Sequence, residues 1–138
     1  MHEFIQWNDS YNTGNYVIDY QHKRLVRAIN DLAEVSKNHE LKQSLLHVVL
    51  DELFNYTKYH FSTEESLMKK MNYSQIADHH VLHTDFVSKL KAIKDEFDTH
   101  TKEVDRELLD FLKDWLINHI LKEDVQIIRE LMSGHGLV

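Results

Sequence analysis

The sequence contains seven side chains that can bind metal and that recur at helical spacing: His22, His60, Glu64, His79, His83, His119 and Asp124. Residues four apart on a helix point only about 40° from one another, so His60 and Glu64 project side by side, as do His79 and His83. Burying imidazoles and carboxylates in an apolar stripe is costly unless something pairs with them. Five imidazoles and two carboxylates are a ligand set for two metal ions that share one buried site.

Two of these positions have a neighbour of the same type. His79 lies four residues before His83 on an apolar stripe, whereas the adjacent His80 is rotated by about 100° toward the flank. We therefore expect His79 to face the site and His80 to lie at the rim. The same argument favours Glu64 over Glu65.

The last two candidates do not share a helical face. His119 and Asp124 are five residues apart, which is about 140° around an ideal α-helix. For both to bind metal, the helix must bend, tighten or end between them. The spacing therefore predicts an irregularity around Leu121–Glu123.

Apolar residues at steps of three and four predict four helices, over about 19–37, 41–71, 75–98 and 103–122. Residues 1–18 form a non-helical N-terminal arm with a turn signal at Asn12–Asn15, and residues 123–138 form a short C-terminal segment whose tail frays. Short polar joints at Ser36–Glu40, Asn72–Ser74 and Asp98–Lys102 force neighbouring helices antiparallel. The predicted fold is one all-α domain over residues 1–138, an up-down-up-down antiparallel four-helix bundle.

Composition supports this fold and excludes several classes of function. The chain has no proline and only three glycines, all near its ends, which favours long helices. It has no cysteine, so thiolate ligands and disulfides are excluded. A net charge of −7 argues against a nucleic-acid partner. The first residues resemble no targeting signal and no long apolar run follows, so we expect a cytoplasmic protein without a membrane partner.

Simpler interpretations apply to many of these residues. Each pair at a spacing of four is as compatible with core packing as with metal binding, and only the constellation of seven favours metal. Asp19 and Gln21 are candidates to bind imidazole N–H groups, although Asp19 also suits a helix start. The aromatic side chains are expected to pack in the core: Tyr56, Phe86, Phe111 and Trp115. The remaining histidines are expected to be solvated: His2, His39, His47, His80, His100 and His135.

Four segments together resemble the hemerythrin family in its bacterial single-domain form: IDYQHKRL around His22, HFSTE from His60, HHVLH from His79 and WLINHILKED around His119. The resemblance runs over nearly the whole chain and includes Trp7, Gly14 and Asp19 in or near the arm. The family often has a proline in the loop after the second helix, where this chain reads MNYSQ. That departure concerns the loop and not the metal site.

The resemblance implies a non-haem diiron centre. His79, His83 and His119 would hold one iron and His22 and His60 the other. Glu64 and Asp124 would bridge the two ions together with an oxo or hydroxo group. The iron with two histidines would keep an open position for dioxygen.

The ligand types favour reversible dioxygen binding by an oxygen carrier, store or sensor over an enzymatic reaction. Imidazole with carboxylate suits iron, and diiron enzymes on helix bundles use more carboxylates and fewer histidines. Leu116 and Ile120 flank His119 and would form an apolar oxygen pocket, unless they are plain core. The alternatives are a diiron oxidase, peroxidase or nitric-oxide reductase, and a structural bundle that binds zinc or no metal. The expected partners are dioxygen and an oxygen-consuming protein.

Overall fold

The computed structural model describes residues 4–37, 42–98 and 106–136, and within these ranges the chain is helical apart from the arm and one turn. A 3₁₀ turn at Asp9–Tyr11 precedes α1 (Tyr16–Ser36), α2 (Lys42–Lys70) and α3 (Ile76–Asp98). The fourth helical span consists of α4 (Arg106–Asn118), a π-helical segment (His119–Asp124) and α5 (Val125–Gly136). The predicted all-α four-helix bundle is confirmed. No helix among the described residues is long and apolar enough to cross a bilayer.

The first helix begins at Tyr16, earlier than the predicted residue 19, so the arm is shorter than 1–18. The Asn15 side chain accepts a hydrogen bond from the Ile18 backbone N–H at 3.0 Å and caps the helix. Periodicity missed this first turn because Tyr16 and Val17 are exposed, at 84% and 51%. The start of the helix is set by its cap and not by its apolar stripe.

The N-terminal arm is hydrogen-bonded to α1 and to α5. Ile5 is buried, and its backbone N–H and C=O bond the Asn30 side chain at 2.7 and 2.9 Å. Arg129 on α5 donates from Nε and Nη2 to the Asn12 carbonyl at 3.1 and 2.8 Å. Gly14 turns the chain with a φ of +94°, a conformation that favours glycine. The arm therefore packs along α1 and α5.

The turn from α2 to α3 lies at the predicted joint and does without a proline. Asn72 adopts the left-handed conformation with a φ of +58°, and the Tyr73 N–H reaches the Met68 carbonyl at 2.9 Å. Asparagine is the residue that most readily replaces glycine at such a helix end. The other two predicted joints extend beyond the described residues.

Apolar spacing predicts that Val49, Tyr56 and Leu67 lie on the buried stripe of α2, but these side chains are only partly covered. Their neighbours Leu50, Thr57 and Met68 are buried instead. On α4 the buried residues are Leu108, Leu109, Leu112 and Leu116. The assignment of Phe111 to the core is wrong, because it is 37% exposed and reaches inward only to stack beside Phe86. Leucines at adjacent positions fill the core instead.

The fourth helical span does not end at residue 122. It continues through the π-helical segment into α5 and to Gly136, so the C-terminal segment is helical where a short frayed tail was expected. The predicted irregularity around Leu121–Glu123 lies inside the π-helical segment. The helix continues because Val125 and Ile128 are buried, at 6% and 0% exposure, and hold α5 on the bundle.

Candidate metal centre

The seven predicted side chains converge in the middle of the bundle. His22 comes from α1, His60 and Glu64 from α2, His79 and His83 from α3, and His119 and Asp124 from the two ends of the π-helical segment. None is more than 5% exposed. A π-helix closes its hydrogen bonds from i to i+5, so it places residues five apart about one turn from each other. That geometry brings Asp124 back to the face of His119.

The seven side chains form two groups that share both carboxylates. One group contains Glu64, His79, His83, His119 and Asp124, and the other contains His22, His60, Glu64 and Asp124. Within each group the candidate ligand atoms all lie within 4.8 Å of one another. The shared members lie between the groups, as bridging carboxylates would.

In the group with three histidines, each imidazole turns Nε2 toward a carboxylate oxygen. His79 and His83 reach Glu64 Oε1 at 3.0 and 3.1 Å, and His119 reaches Asp124 Oδ1 at 3.0 Å. The Nε2 atoms of His83 and His119 are 3.2 Å apart. Two ring nitrogens this close can share one proton or one cation.

The group with two histidines uses the other oxygen of each carboxylate. His22 Nε2 lies 2.9 Å from Asp124 Oδ2, and His60 Nε2 lies 3.3 Å from Glu64 Oε2. The two remaining pairs are longer, with His22 3.7 Å from Glu64 and His60 3.8 Å from Asp124. Each carboxylate therefore presents one oxygen to each group.

Several buried atoms of the centre lack a hydrogen bond. His60 Nε2, Glu64 Oε2 and Asp124 Oδ1 have no partner among the described residues, although ring nitrogens or carboxylate oxygens lie close by. An unsatisfied buried polar atom is costly, and one charged atom is more so. Cations bound between these nitrogens and oxygens would satisfy all three atoms. The side chains present therefore fit a pair of metal ions.

Behind the centre, two ring nitrogens are held by hydrogen bonds. His60 Nδ1 bonds Gln21 Oε1 at 2.9 Å, and His83 Nδ1 bonds Glu65 Oε2 at 2.7 Å. Gln21 thus lies where the sequence placed a partner. Asp19 does not contact an imidazole, because its Oδ1 accepts from the Thr13 N–H and hydroxyl, each at 2.7 Å.

Two outer carboxylates were missed by the sequence analysis. Glu65 bonds both His83 and the exposed His80. Glu123 Oε2 lies 3.7 Å from His119 Nδ1 and 3.9 Å from His79 Nδ1. Glu65 could have been found from its position next to the candidate ligand Glu64, because it lies at the edge of the same helical face, toward α3. Glu123 could not, because its position depends on the π-helical geometry.

Opposite charges strongly shift the protonation of the centre. Burial lowers the pKa of His22 and His79, but hydrogen bonds to Asp124 and Glu64 outweigh burial and raise both pKa values to about 9. The pKa of His119 is raised in the same way. Burial raises the pKa of Glu64, yet its imidazole hydrogen bonds hold that pKa well below its usual value. The raised pKa values of these imidazoles favour their protonated forms beside the two carboxylates.

Aromatic rings surround the histidine-rich side. Phe61 stacks on His83 with ring centroids 3.7 Å apart, and Trp115 stacks on His119 at 4.6 Å. Phe86 in turn stacks on Trp115 at 3.5 Å. Leu116 is buried, one turn before His119. The side chain of Ile120, the other predicted member of the oxygen pocket, lies outside the described residues.

The remaining histidines do not enter the centre where they are described. His80 is 62% exposed, at the rim where the sequence placed it. His47 is more engaged than expected, because its Nδ1 lies 2.8 Å from Asp98 and its ring packs against Phe97. His2, His39 and His100 and the side chain of His135 lie outside the described residues.

This chain is similar to known proteins in sequence and in fold. The family model described as the hemerythrin HHE cation binding domain matches residues 13–131. Bacteriohemerythrin from Pseudomonas aeruginosa is 36% identical over 132 residues, covering 94% of this chain and 84% of the relative. Myohemerythrin from Theromyzon tessulatum is 30% identical over 122 residues, covering 88% of this chain and 89% of the relative.

A solved structure of wild-type hemerythrin superposes with a TM-score of 0.83 at 29% identity, covering 89% of this chain and 94% of that one. A hemerythrin with a leucine-to-tyrosine substitution reaches a TM-score of 0.87 at 27% identity, covering 94% of this chain and 98% of that one. The family-model match over residues 13–131 includes all seven candidate ligands. The chain belongs to the hemerythrin family.

Proposed function

We propose that this protein binds dioxygen reversibly at a non-haem diiron centre. The observation that carries the proposal is the sharing of Glu64 and Asp124 between a group with three histidines and a group with two. Each carboxylate turns one oxygen toward each group, which is the arrangement that two bridged ions need. His79, His83 and His119 would hold one iron, and His22 and His60 the other.

The unequal number of imidazoles gives the two positions different roles. Three histidines and both carboxylates would supply five protein donors to one iron, whereas two histidines and the same carboxylates would supply four to the other, which would leave more room there for dioxygen. Iron, when bound, supplies the electrons that allow dioxygen to bind and leave. The five imidazoles are neutral as ligands, so the protein adds little negative charge beyond the bridging carboxylates. That balance stabilises ferrous iron and favours release of the gas over its consumption.

The chain's own residues exclude water and fix the ligands. Each of the seven side chains is at least 95% buried, Phe61 and Trp115 stack on His83 and His119, and Leu116 is buried one turn before His119. We place the oxygen pocket near Leu116 and Ile120, the residues that flank His119. Gln21 and Glu65 orient His60 and His83 through their outer nitrogens.

The proposal includes one domain over residues 1–138, a cytoplasmic location and a role in carrying, storing or sensing oxygen for an oxygen-consuming partner. A reducing compartment would keep the irons ferrous, which is the state that binds dioxygen. The family match over residues 13–131 supports the single domain.

Two measurements test the function. Metal analysis of protein from iron-replete cells should give about two irons per chain, and one zinc per chain would contradict the diiron centre. The ferrous protein exposed to air should develop a visible charge-transfer band that disappears under vacuum and returns in air. An irreversible loss of that band, with catalytic release of hydrogen peroxide or consumption of a substrate, would instead support a diiron enzyme.

A further inference from the structure

A cavity of about 360 Å³ opens beside the three-histidine side of the centre. It lies between the α2–α3 turn, the first turns of α3 and the end of the π-helical segment with the start of α5. Among its lining residues are Tyr73, Asp78, His79, Glu123, Ile127 and Glu130. His79, a candidate metal ligand, thus forms part of the cavity wall.

His79 separates the cavity from the centre. Its side chain is 97% buried, with Nε2 3.0 Å from Glu64 Oε1 on the inner side. Its Nδ1 is 3.9 Å from Glu123 Oε2, beyond hydrogen-bond length, and has no hydrogen-bond partner among the described residues. The ring therefore presents one nitrogen to the proposed metal and leaves the other unpartnered beside the cavity.

The mouth of the cavity is acidic. Among the described lining residues, Asp78, Glu123 and Glu130 carry negative charge and Lys122 carries positive charge. Their field reaches Tyr73, whose pKa is raised by burial and then by the charges of Glu130, Glu123 and Asp78. Glu123 lies deepest along this series, within 4 Å of the outer nitrogens of both His79 and His119.

We propose that this acidic cavity is the route by which divalent metal ions reach the centre. Asp78 and Glu130 attract a hydrated cation at the mouth, since a cleft of one charge sign raises the local concentration of the opposite ion. Glu123 and His79 Nδ1 then replace part of its water shell with oxygen and nitrogen ligands. The ion passes into the centre as the His79 ring turns aside. This inference rests on the proposed metal centre.

Uptake of Co²⁺ by the metal-free full-length protein, followed by stopped-flow absorbance, tests the route. The rim variant combines Asp78→Asn with Glu130→Gln. Among the described residues, neither side chain forms a hydrogen bond or ion pair with a candidate metal ligand. The matched control combines Asp31→Asn with Glu34→Gln, two exposed carboxylates that line a different groove along α1. Both variants change the net charge equally, so only the position of the charge differs.

The rim variant should take up Co²⁺ several-fold more slowly at low ionic strength, with unchanged final stoichiometry. The difference should vanish near 1 M salt, where the screening length is about 3 Å. The control should match the parent protein. Equal uptake rates in all three proteins would overturn the route, whereas a failure of the parent to bind Co²⁺ at all would overturn the metal centre itself.

Two further variants cover the case in which the rim variant fails to fold, as checked by circular dichroism. Gln126→Glu adds an acid to the exposed cavity wall and should speed uptake. Ile127→Trp fills the cavity and should slow uptake and chelator-driven release by similar factors, which leaves the Kd unchanged. Unchanged rates in both variants would also overturn the route.

Discussion

The candidate histidine ligands differ in whether Nδ1, the ring nitrogen that points away from the centre, has a hydrogen-bond partner. His60 and His83 are fixed by Gln21 and Glu65, whereas His22 Nδ1 is buried without a partner among the described residues. An imidazole whose second nitrogen is bonded to an acceptor has a fixed tautomer and orientation. The two groups of ligands therefore each contain at least one imidazole that is oriented before any metal arrives.

Gln21→Ala should lower metal affinity on the two-histidine side by about 10-fold to 100-fold, because His60 loses its orienting acceptor. Competition with a chromogenic chelator measures this change. Asp19→Ala is the matched control two residues away, since the Asp19 carboxylate bonds Thr13 and Gly14 and, among the described residues, no imidazole. It should reduce thermal stability while metal affinity stays unchanged, and equal affinity losses in the two variants would contradict the assigned roles.

His119→Ala should abolish the reversible oxygenated spectrum, because His119 contacts both His83 and Asp124 inside the centre. His80→Ala should leave the spectrum in place, since His80 is exposed and reaches the centre only through Glu65. Absorbance of iron-loaded protein cycled between air and vacuum compares the two. Loss of the spectrum in both variants would mean that the exposed histidine is also a ligand.

At this scale the sequence predicted the candidate site well and its surroundings less well. All seven candidate ligands follow from spacing and resemblance, and all seven lie together. Glu65 was set aside as a ligand although it supports one. Of the two roles expected for Asp19, the structure shows the one at the helix start, in the first turn of α1. Periodicity identifies the face on which a residue lies, but it does not show which atom across the helix interface that residue will meet.

At the scale of elements, the π-helical segment decides whether the centre is complete. An uninterrupted α-helix would turn Asp124 about 140° away from His119 and would rotate Val125 and Ile128 out of the core. One additional residue per turn corrects all of these positions together. Such single-turn π segments occur frequently at functional sites.

Deleting Lys122, which is exposed, should convert the segment to α-helix and leave His119 and the aspartate four residues apart on one face. The protein should keep about two metal ions per chain. Inserting one alanine after Lys122 should instead place the aspartate six residues from His119, about 120° away on an α-helix, and reduce metal content. Metal analysis with circular dichroism measures both outcomes, and loss of metal in the single deletion would contradict this account of the segment.

The sequence predicted that this helix is irregular but not how it continues. The offset of five between His119 and Asp124 allowed a bend, a tighter turn or an end. Only the packing of Val125 and Ile128 against the bundle distinguishes a π segment from an end. The early start of α1 was missed for a related reason, since a cap at Asn15 leaves no trace in apolar spacing.

At the scale of the whole molecule, the buried charges couple folding, protons and metal. The pKa of His22 and of His79 is about 9 in the metal-free fold against an ordinary 6.5. Their stabilisation is fully present below pH 6.5 and is lost as pH rises toward 9. Glu64 and Asp124 have lowered pKa values, so their stabilisation is present above their ordinary pKa values of 4.5 and 3.8 and is lost in acid.

The metal-free protein should therefore lose stability between pH 6.5 and 9, because the fold holds protons that the unfolded chain releases. The iron-loaded protein should not lose stability over this interval, since cations replace those protons, and its metal affinity should rise with pH. Urea unfolding at several pH values measures both. Parallel profiles with and without metal would contradict the coupling, and His80→Ala should leave each profile unchanged.

The stacking of Trp115 on His119 gives the centre an optical reporter of its own. The chain has two tryptophans, and the other, Trp7, lies in the arm against Tyr11. An indole stacked on an iron ligand should lose its emission by energy transfer to the metal chromophore, while Trp7 supplies a steadier reference signal. Loading, oxygenation and release could then be followed by intrinsic fluorescence in dilute protein without any added dye.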